Sequence, residues 1–589
     1  MRLARAVLAA LAALVLLAPM AASAQAQAPA QERALQRAVD LENASKYREA
    51  VSAYREALSQ GALAAGILGL ERNFSAMGQD DSLLPALDTL LRSMPREPTL
   101  RGALLRTLRA LGRDDAARRA FDAWRLLDPR DVAPYREYAR LLLIDRRAAS
   151  ADSVLRLAVE ARGGAREFAT EFAELYSTMG RWADAAVAWR DAVVDAPYLD
   201  QSAIYSLMSA PTPQRDGVRA ALRPALGMAL PVVAALTRTR AGLELRWGLP
   251  TAAWRELAAL PPTDSSAQAW IDFADEAEQL GGALAARDAL AAAWRVRAQP
   301  ALALRAATAA LAGGDATGAL VFAEAAARSL DSAQAVTLAL PVRVRVLAQL
   351  ARPRDAEALI ASYGMQVTDA QRRVFARALA WGWIRAGDIA RARRAAEQGG
   401  GEEEDVVSGW LALFDGDLDG ARRGLRSADE KTSDIVTALA FISRTKQART
   451  PGIGVAFLAL ARGDSAEASR DFERAAEGVP DAASFLLGLA ARVASARHDD
   501  TRAMALWTTL VERYAASPEA PEADLEWART LERRGDRAAA TTRYEHLILT
   551  WPDSALVPQA RQALDRLRAL AATATAILPI ARITGITAD

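Results

Sequence analysis

Cysteine is absent from this chain of 589 residues. Its absence excludes disulfides, thiol catalysis and thiolate metal sites, and also the lipid anchor that bacterial lipoproteins carry on an N-terminal cysteine. Histidine is almost as scarce, because the chain contains only His498 and His546. The two lie in different stretches of the sequence, whereas a zinc site needs three or four ligands that converge. The sequence therefore predicts no metal and no cofactor.

Charge of one sign and long apolar runs are lacking as well. The chain has 73 basic and 72 acidic residues, a formal net charge of +1, so no global field attracts it to nucleic acid. Aromatic residues make up 6% of the chain and hydrophobic residues 52%, much of it alanine. Small apolar residues favour close helix–helix packing over a β-sandwich. We therefore predict an all-α protein that does not bind nucleic acid.

The N-terminus has the pattern of a secretory signal peptide. Arg2 and Arg5 precede an apolar run over 6–18, and small residues follow at 22–24. A charged start, a short apolar run and a small-residue cleavage site define such a peptide. Crossing a bilayer takes about 20 apolar residues, more than this run offers. We predict that residues 1–24 are removed and that the mature chain, without an integral span or lipid anchor, is periplasmic or envelope-associated; an uncleaved membrane anchor is the alternative.

A pattern of roughly thirty residues recurs along the chain. It is clearest over 168–197, where the apolar spacing fits two amphipathic helices joined at Gly180 and followed by Pro197. The same frame returns over 104–129 and 527–552. In the clearest copy its apolar or small positions are Phe172, Ala173, Tyr176, Ala185, Trp189 and Ala192. A fixed period of this kind indicates a solenoid, and the pattern resembles the tetratricopeptide repeat family. The resemblance implies a tetratricopeptide-type helical-hairpin solenoid, a right-handed superhelix that binds protein partners.

The regularity of this pattern varies along the chain. Two prolines and a glycine interrupt it at 210–217, and three consecutive glycines followed by acidic residues interrupt it at 398–405. The last stretch loses the helical pattern and becomes either a flexible tail or a strand that pairs with a partner. The predicted stretches are tetratricopeptide-like repeats over 25–200, degenerate helical-hairpin repeats over 201–450, tetratricopeptide repeats over 451–570 and the tail over 571–589.

The C-terminal repeats carry a second resemblance. Helices that contain Trp507 and Tyr544 each end in an aromatic residue, a proline and a serine, with the prolines at Pro518 and Pro552. This ending resembles the repeats of outer-membrane assembly lipoproteins and of the periplasmic Tol-Pal-associated cell-division coordinator. The chain departs from the lipoproteins because it has no cysteine for the anchor. The resemblance implies a setting in envelope assembly, maintenance or division.

Recognition is the chemistry that a stack of hairpins offers, because the first helices line a concave groove. Their free face carries Glu167, Thr170 and Glu174 in one repeat and Arg529 and Glu532 in another. These residues are the predicted protein-binding groove. The family's clamp for C-terminal carboxylates uses lysine and asparagine at two of these positions, which Thr170 and Glu174 occupy here. The sequence therefore does not predict that clamp.

An apolar stripe near the start of the C-terminal repeats is the other candidate. Ile453, Phe457 and Leu460 either seat a partner helix or pack against an adjoining repeat. Gly452 and Gly454 lack the third glycine and the βαβ context of a dinucleotide loop, so they do not indicate one.

The sequence thus predicts a non-catalytic exported scaffold or adaptor whose partners are other envelope proteins or peptides. One alternative is a periplasmic repeat scaffold for exopolysaccharide export. The other is a peptidoglycan hydrolase, which would need a compact catalytic domain of about 100 residues beside the repeats. The sequence specifies neither the partner nor the oligomeric state.

Overall fold

The computed structural model describes residues 30–399, 406–429 and 431–577, with side chains through residue 569. Within these ranges the chain is almost entirely helical, and no β-strand forms. A single antiparallel bridge joins Asp417 and Arg449. The all-α prediction is confirmed.

The chain divides into two compact units, Met1–Pro262 and Thr263–Asp589. The division falls inside the stretch 201–450 for which we predicted degenerate repeats. In each unit, helices adjacent in sequence pack against each other as antiparallel hairpins, and successive hairpins stack. This arrangement confirms a helical-hairpin solenoid, while its right-handed superhelical twist stays a prediction.

The described residues of the first unit, from residue 30 onward, form fourteen α-helices, several of them entered through short 3₁₀ turns. They are α1 (30–43), α2 (Tyr47–Ser59), α3 (Leu63–Ala76), α4 (Leu84–Ser93), α5 (Pro98–Ala110), α6 (Asp114–Arg125), α7 (Ala133–Ile144), α8 (Ala148–Arg162), α9 (Ala169–Thr178), α10 (Trp182–Asp195), α11 (Asp200–Leu207), α12 (Arg215–Ala221), α13 (Leu230–Arg246) and α14 (Pro250–Leu257).

In the second unit one helix continues from a short α segment through a π-helical turn, Ala335–Ala339, into α20. The described helices of this unit are α15 (Asp264–Gln279), α16 (Ala283–Arg297), α17 (Pro300–Ala312), α18 (Ala316–Arg328), α19 (Ser332–Gln334), α20 (Leu340–Gln349), α21 (Pro353–Tyr363), α22 (Asp369–Ala386), α23 (Ile389–Gln398), α24 (Val406–Phe414), α25 (Leu418–Arg426), α26 (Ser433–Arg444), α27 (Pro451–Ala461), α28 (Ser465–Gly478), α29 (Ala483–Ala496), α30 (Asp500–Arg513), α31 (Ala520–Arg533), α32 (Arg537–Thr550) and α33 (Val557–Ile577).

The turns inside the hairpins follow a local rule of the sequence. In most described hairpins a residue with positive φ follows the first helix, and in most hairpins of the second unit an aspartate then caps the next helix. At Gly463 φ is +82°, and the Asp464 side chain accepts the backbone N–H of Glu467 at 3.1 Å. His498 takes the same left-handed position, with φ 61°, before the capping Asp499. Its role is therefore to shape a turn between α29 and α30.

The core runs between neighbouring hairpins because each hairpin buries its apolar face against the next. Phe121 on α6 is fully buried and stacks on Tyr138 of α7, with ring centroids 4.7 Å apart. Alanines such as Ala117 and Ala139 are also fully buried and let the helix backbones approach closely. Trp189, which the repeat frame contains, is only 7% exposed, as expected for a packing residue.

One helix of the second unit departs from the hairpin order. Helix α27 packs against α24, the first helix of the preceding hairpin, so α26 lies between two hairpins as an additional element. Its beginning follows α25, and at its end Arg444 donates to Glu519 at 2.9 Å. The Thr450 N–H donates to the carbonyl oxygen of Gly416 at 2.8 Å, which fixes the return to α27. This extra helix shapes the larger cavity described below.

The structure describes only part of the predicted chain ends and of the predicted breaks between repeats. The predicted signal peptide, 1–24, lies outside the described residues, as does 578–589. Helix α33 runs through 571–577, the first residues of the predicted tail, because its alanines are strong helix formers. The predicted break at 210–217 contains the 3₁₀ turn Thr212–Gln214. The break at 398–405 begins where α23 ends, and residues 400–405 lie outside the described residues.

Candidate protein-binding grooves

The first unit contains a concave cavity of about 850 Å³, which we call the N-terminal groove. The first helices of successive hairpins, α5, α7, α9 and α11, supply most of its surface. Trp124 and Trp189, 4% and 7% exposed, contribute apolar surface. The polar residues that line it include Arg106, Arg136, Glu137, Arg140, Thr170 and Glu174.

A ladder of ion pairs crosses this groove from helix to helix. Arg106 donates to Glu71 and to Glu137, both at 2.7 Å. Arg140 reaches the same Glu137 at 3.0 Å. Arg136, also on α7, lies 2.9 Å from Glu171 of α9. Each arginine of the groove thus has a carboxylate partner inside the protein, and the ladder fixes the spacing of the first helices.

Glu174 stands apart from this ladder. Among the described residues its carboxylate has no hydrogen bond or ion pair, although it lines the groove. Its pKa is raised because the surrounding protein removes water from the carboxyl, and the negative charge of Glu171 adds to the effect. An unpaired, partly desolvated carboxylate is free to bind a cation or a hydrogen-bond donor of a ligand.

The three residues predicted on α9 and its entry turn do not all face this groove. Thr170 and Glu174 line it, and the Thr170 hydroxyl donates to Glu171 at 2.9 Å. The Glu167 side chain instead accepts from Arg162 at 2.7 Å. Glu167 precedes α9, in the 3₁₀ turn Arg166–Phe168, so the helical spacing that we extrapolated from Thr170 does not apply to it.

The residues predicted on α31 make contacts within the chain. Arg529 bonds Glu526 at 2.6 Å and Gln559 at 3.1 Å. Glu532 accepts the hydroxyl of Tyr544 at 3.0 Å and also pairs with Arg566 at 2.8 Å. Both side chains therefore connect neighbouring hairpins, and their role in binding a partner stays a prediction.

The second unit contains a cavity of about 890 Å³, which we call the arginine cavity. Helices α20, α22, α24 and α27 form its walls together with the additional helix α26. Its aromatic surface consists of Trp381, Trp410 and Phe457, and the Trp410 ring lies 6.2 Å from each of the other two. Ile453 is fully buried in the core, whereas Phe457, 2% exposed, contributes to the cavity wall.

Three arginines also line this cavity, Arg345, Arg385 and Arg462. The one carboxylate among the lining residues is Asp434. Within the described part of the chain none of the three guanidinium groups has a hydrogen bond or an ion pair. Arg385 is half-buried over the face of Trp381, 5.6 Å from its ring centroid. Burial without a counter-charge lowers the pKa of this arginine.

The histidines supply no comparable site. His546 Nδ1 lies 2.6 Å from the carboxylate of Asp524, which is fully buried and also accepts from Arg543 at 3.2 Å. Burial raises the pKa of Asp524. The described residues contain no group of three or more potential ligands that could hold a metal ion. None of the described helices combines the length and apolar character that crossing a bilayer requires.

Sequence reasoning missed the basic residues of both cavities. On α22 the signal was present, because Trp381 and Arg385 are four residues apart and so share one helix face. We assigned the repeat frame on this helix to Trp383, which the structure buries at 4% exposure. Arg345 and Arg462 lie on other helices, and only the stacking of the hairpins brings them to Arg385.

Comparison with known proteins leaves the family open. No protein-family model matches the chain, and no curated protein matches it. The Cut9–Hcn1 hetero-tetramer of the APC/C aligns over 90% of this chain and 95% of its own, with 11% identity and a TM-score of 0.22. Naa15/Naa10 bound to HypK-THB aligns over 93% and 98%, with 12% identity and a TM-score of 0.20. Scores this low say nothing about function, so the fold class rests on the helices of the chain itself.

Proposed function

We propose that the chain is a non-catalytic scaffold that binds protein partners in the N-terminal groove. One observation carries the proposal: the groove holds a rigid ladder of paired charges and, beside it, the unpaired carboxylate of Glu174. The pre-formed ladder lowers the conformational cost of binding, and the free carboxylate supplies a specific contact. Exposed Tyr205 on the same wall adds aromatic area, which protein interfaces favour.

The setting that we propose is the bacterial cell envelope. The N-terminal pattern of Arg2, Arg5 and the apolar run 6–18 supports export. The resemblance of the C-terminal repeats to envelope proteins supports a role in envelope assembly, maintenance or division. The partners would then be other envelope proteins or their exposed peptides.

Capture of partners by variants of the mature protein tests this function. Glu174→Lys reverses the free charge of the groove and is expected to reduce the recovery of specific partners at least about tenfold, since placing like charges together costs more than 1.4 kcal/mol. Glu160→Lys is the matched control, because Glu160 is exposed on the second helix α8 and its side chain has no hydrogen bond or ion pair with another described residue. Equal recovery by both variants and the unaltered chain contradicts the proposal.

A further inference from the structure

The arginine cavity differs from the N-terminal groove because its arginines lack carboxylate partners among the described residues. In the N-terminal groove Arg106 has two carboxylate partners, each at 2.7 Å. In the arginine cavity Arg345, Arg385 and Arg462 have none among the described residues. The three arginines of this cavity thus lack a carboxylate partner among the described residues, whereas each arginine that lines the N-terminal groove has one.

Holding these charges together costs free energy. Like charges repel, and a half-buried guanidinium without a partner loses hydration that nothing in the protein replaces. The loss of hydration applies to Arg385, which is half-buried over the ring of Trp381 and whose pKa is lowered by burial. Arg345 and Arg462 are exposed and contribute the repulsion between like charges. A ligand with negative charge would relieve both costs, because guanidinium groups bind carboxylates in short, charge-assisted hydrogen bonds.

The shape and the aromatic wall restrict what that ligand can be. A bilayer surface cannot enter a concave cavity that is bounded on one side by α26. A small inorganic anion would fill little of a cavity of about 890 Å³ and would leave the partly exposed ring of Trp381 uncovered. An extended acidic peptide matches both the arginines and the aromatic surface, because its carboxylates can reach the guanidinium groups while an apolar side chain covers the exposed part of the Trp381 ring.

We propose that the arginine cavity binds an acidic segment of a partner protein, with carboxylates on Arg345, Arg385 and Arg462 and an apolar side chain against Trp381 and Trp410. This inference rests on the scaffold function proposed above and specifies the chemistry of one of its partners. The two cavities would then select different partners, one through a free carboxylate and the other through free guanidinium groups.

The test uses the mature chain and a pool of about twelve-residue peptides randomised over aspartate, glutamate, leucine and phenylalanine. A matched pool replaces the acids by asparagine and glutamine. We expect retention of the acidic pool only, quenching of tryptophan fluorescence and weaker binding as salt increases. Arg385→Gln should weaken binding roughly tenfold, and the triple variant with Arg345→Gln and Arg462→Gln should abolish it.

Arg470→Gln is the control, because exposed Arg470 on α28 pairs with Glu467 on the same helix and does not line the cavity. Circular dichroism checks that each variant keeps its helices. No retention of the acidic pool, equal retention of the amide pool, or retention that the triple variant preserves would each overturn the assignment. So would binding to phosphatidylglycerol vesicles in place of the peptides. If partner recovery still responds to Glu174→Lys, the scaffold function survives this failure; if it does not, both proposals fail.

Discussion

Two buried tyrosines make the same contact in separate hairpins. The hydroxyl of Tyr54 on α2 donates to Glu42, which also forms a bidentate pair with Arg72 of α3 at 2.7 and 2.9 Å. The hydroxyl of Tyr544 on α32 donates to Glu532 in the same way. In both cases a second helix is tied to the first helix of its own hairpin. The tyrosine satisfies a buried polar group while its ring fills the core.

These contacts predict a pH dependence at Glu42. Hydrogen bonds from Arg72, assisted by Tyr54, lower its pKa from 4.5 to about 2. A carboxyl with a lowered folded-state pKa stabilises the fold above its unfolded pKa, and this contribution disappears as the pH falls from about 4.5 towards 2. We expect Glu42→Gln to cost about 1–2 kcal/mol at pH 7 and less at pH 2–3, measured by urea unfolding.

Tyr54 predicts a second loss of stability, at high pH, in the same unfolding experiment. Burial and the bond to Glu42 raise the pKa of Tyr54 to about 12, so its stabilising effect is complete below pH 10 and is lost between about 10 and 12. Glu56→Gln is the control, since Glu56 is about half exposed and the one ion pair it forms with a described residue is a long one, to Arg37 at 3.4 Å. A pH-independent difference between Glu42→Gln and the unaltered chain contradicts the account.

At the scale of elements, close backbone approach decides how α24 meets α27. A Cβ atom at Gly454 would lie 2.2 Å from the carbonyl oxygen of Phe414 and 2.8 Å from that of Leu413. Backbone atoms cannot yield as a flexible side chain can, so the two helices would have to separate. Because both helices line the arginine cavity, this contact also sets the distance between its walls.

Gly454→Ala should therefore destabilise the second unit by about 2 kcal/mol or more, as overpacking does in a close-packed core. Gly452→Ala is a matched control on the same helix, because a Cβ there meets nothing within 4 Å. It should be neutral or stabilising by up to about 1 kcal/mol. Chemical unfolding followed by tryptophan fluorescence measures both, and equal effects of the two substitutions would show that the close contact does not hold the helices.

The same elements show how far the sequence predicted the structure. Turn residues such as Gly463 and the apolar spacing around Trp189 are local signals in the sequence. The helical hairpins could therefore be predicted from the sequence alone. Gly454 is a glycine because the backbone of α24 approaches it closely. Its spacing from Gly452, which partly matches a dinucleotide-binding loop, has no functional meaning. The role of α26 was not predictable, because an amphipathic helix looks alike whether it belongs to a hairpin or lies between two.

At the scale of the whole molecule, some residues of the two cavities could be predicted from the sequence and others could not. Thr170 and Glu174 were predicted because the groove face of a single helix follows from its periodicity. The partners of Arg106 and the grouping of Arg345 with Arg462 depend on contacts between hairpins, which have no fixed spacing in the sequence. Ile453 and Phe457 are both buried, at 0% and 2% exposure, as expected if the apolar stripe packs against an adjoining repeat, one of its two predicted alternatives.

The central claim is that partners bind the concave face of the first helices, and site-specific photocrosslinking in living cells tests it most directly. A photoreactive phenylalanine replaces Thr170 in the N-terminal groove or, separately, Glu160 on the second helix α8. We predict discrete protein adducts from position 170 that disappear when Glu174→Lys is added, and none of the same adducts from position 160. The same adducts from both positions, or adducts at 170 that persist with Glu174→Lys, would contradict the claim.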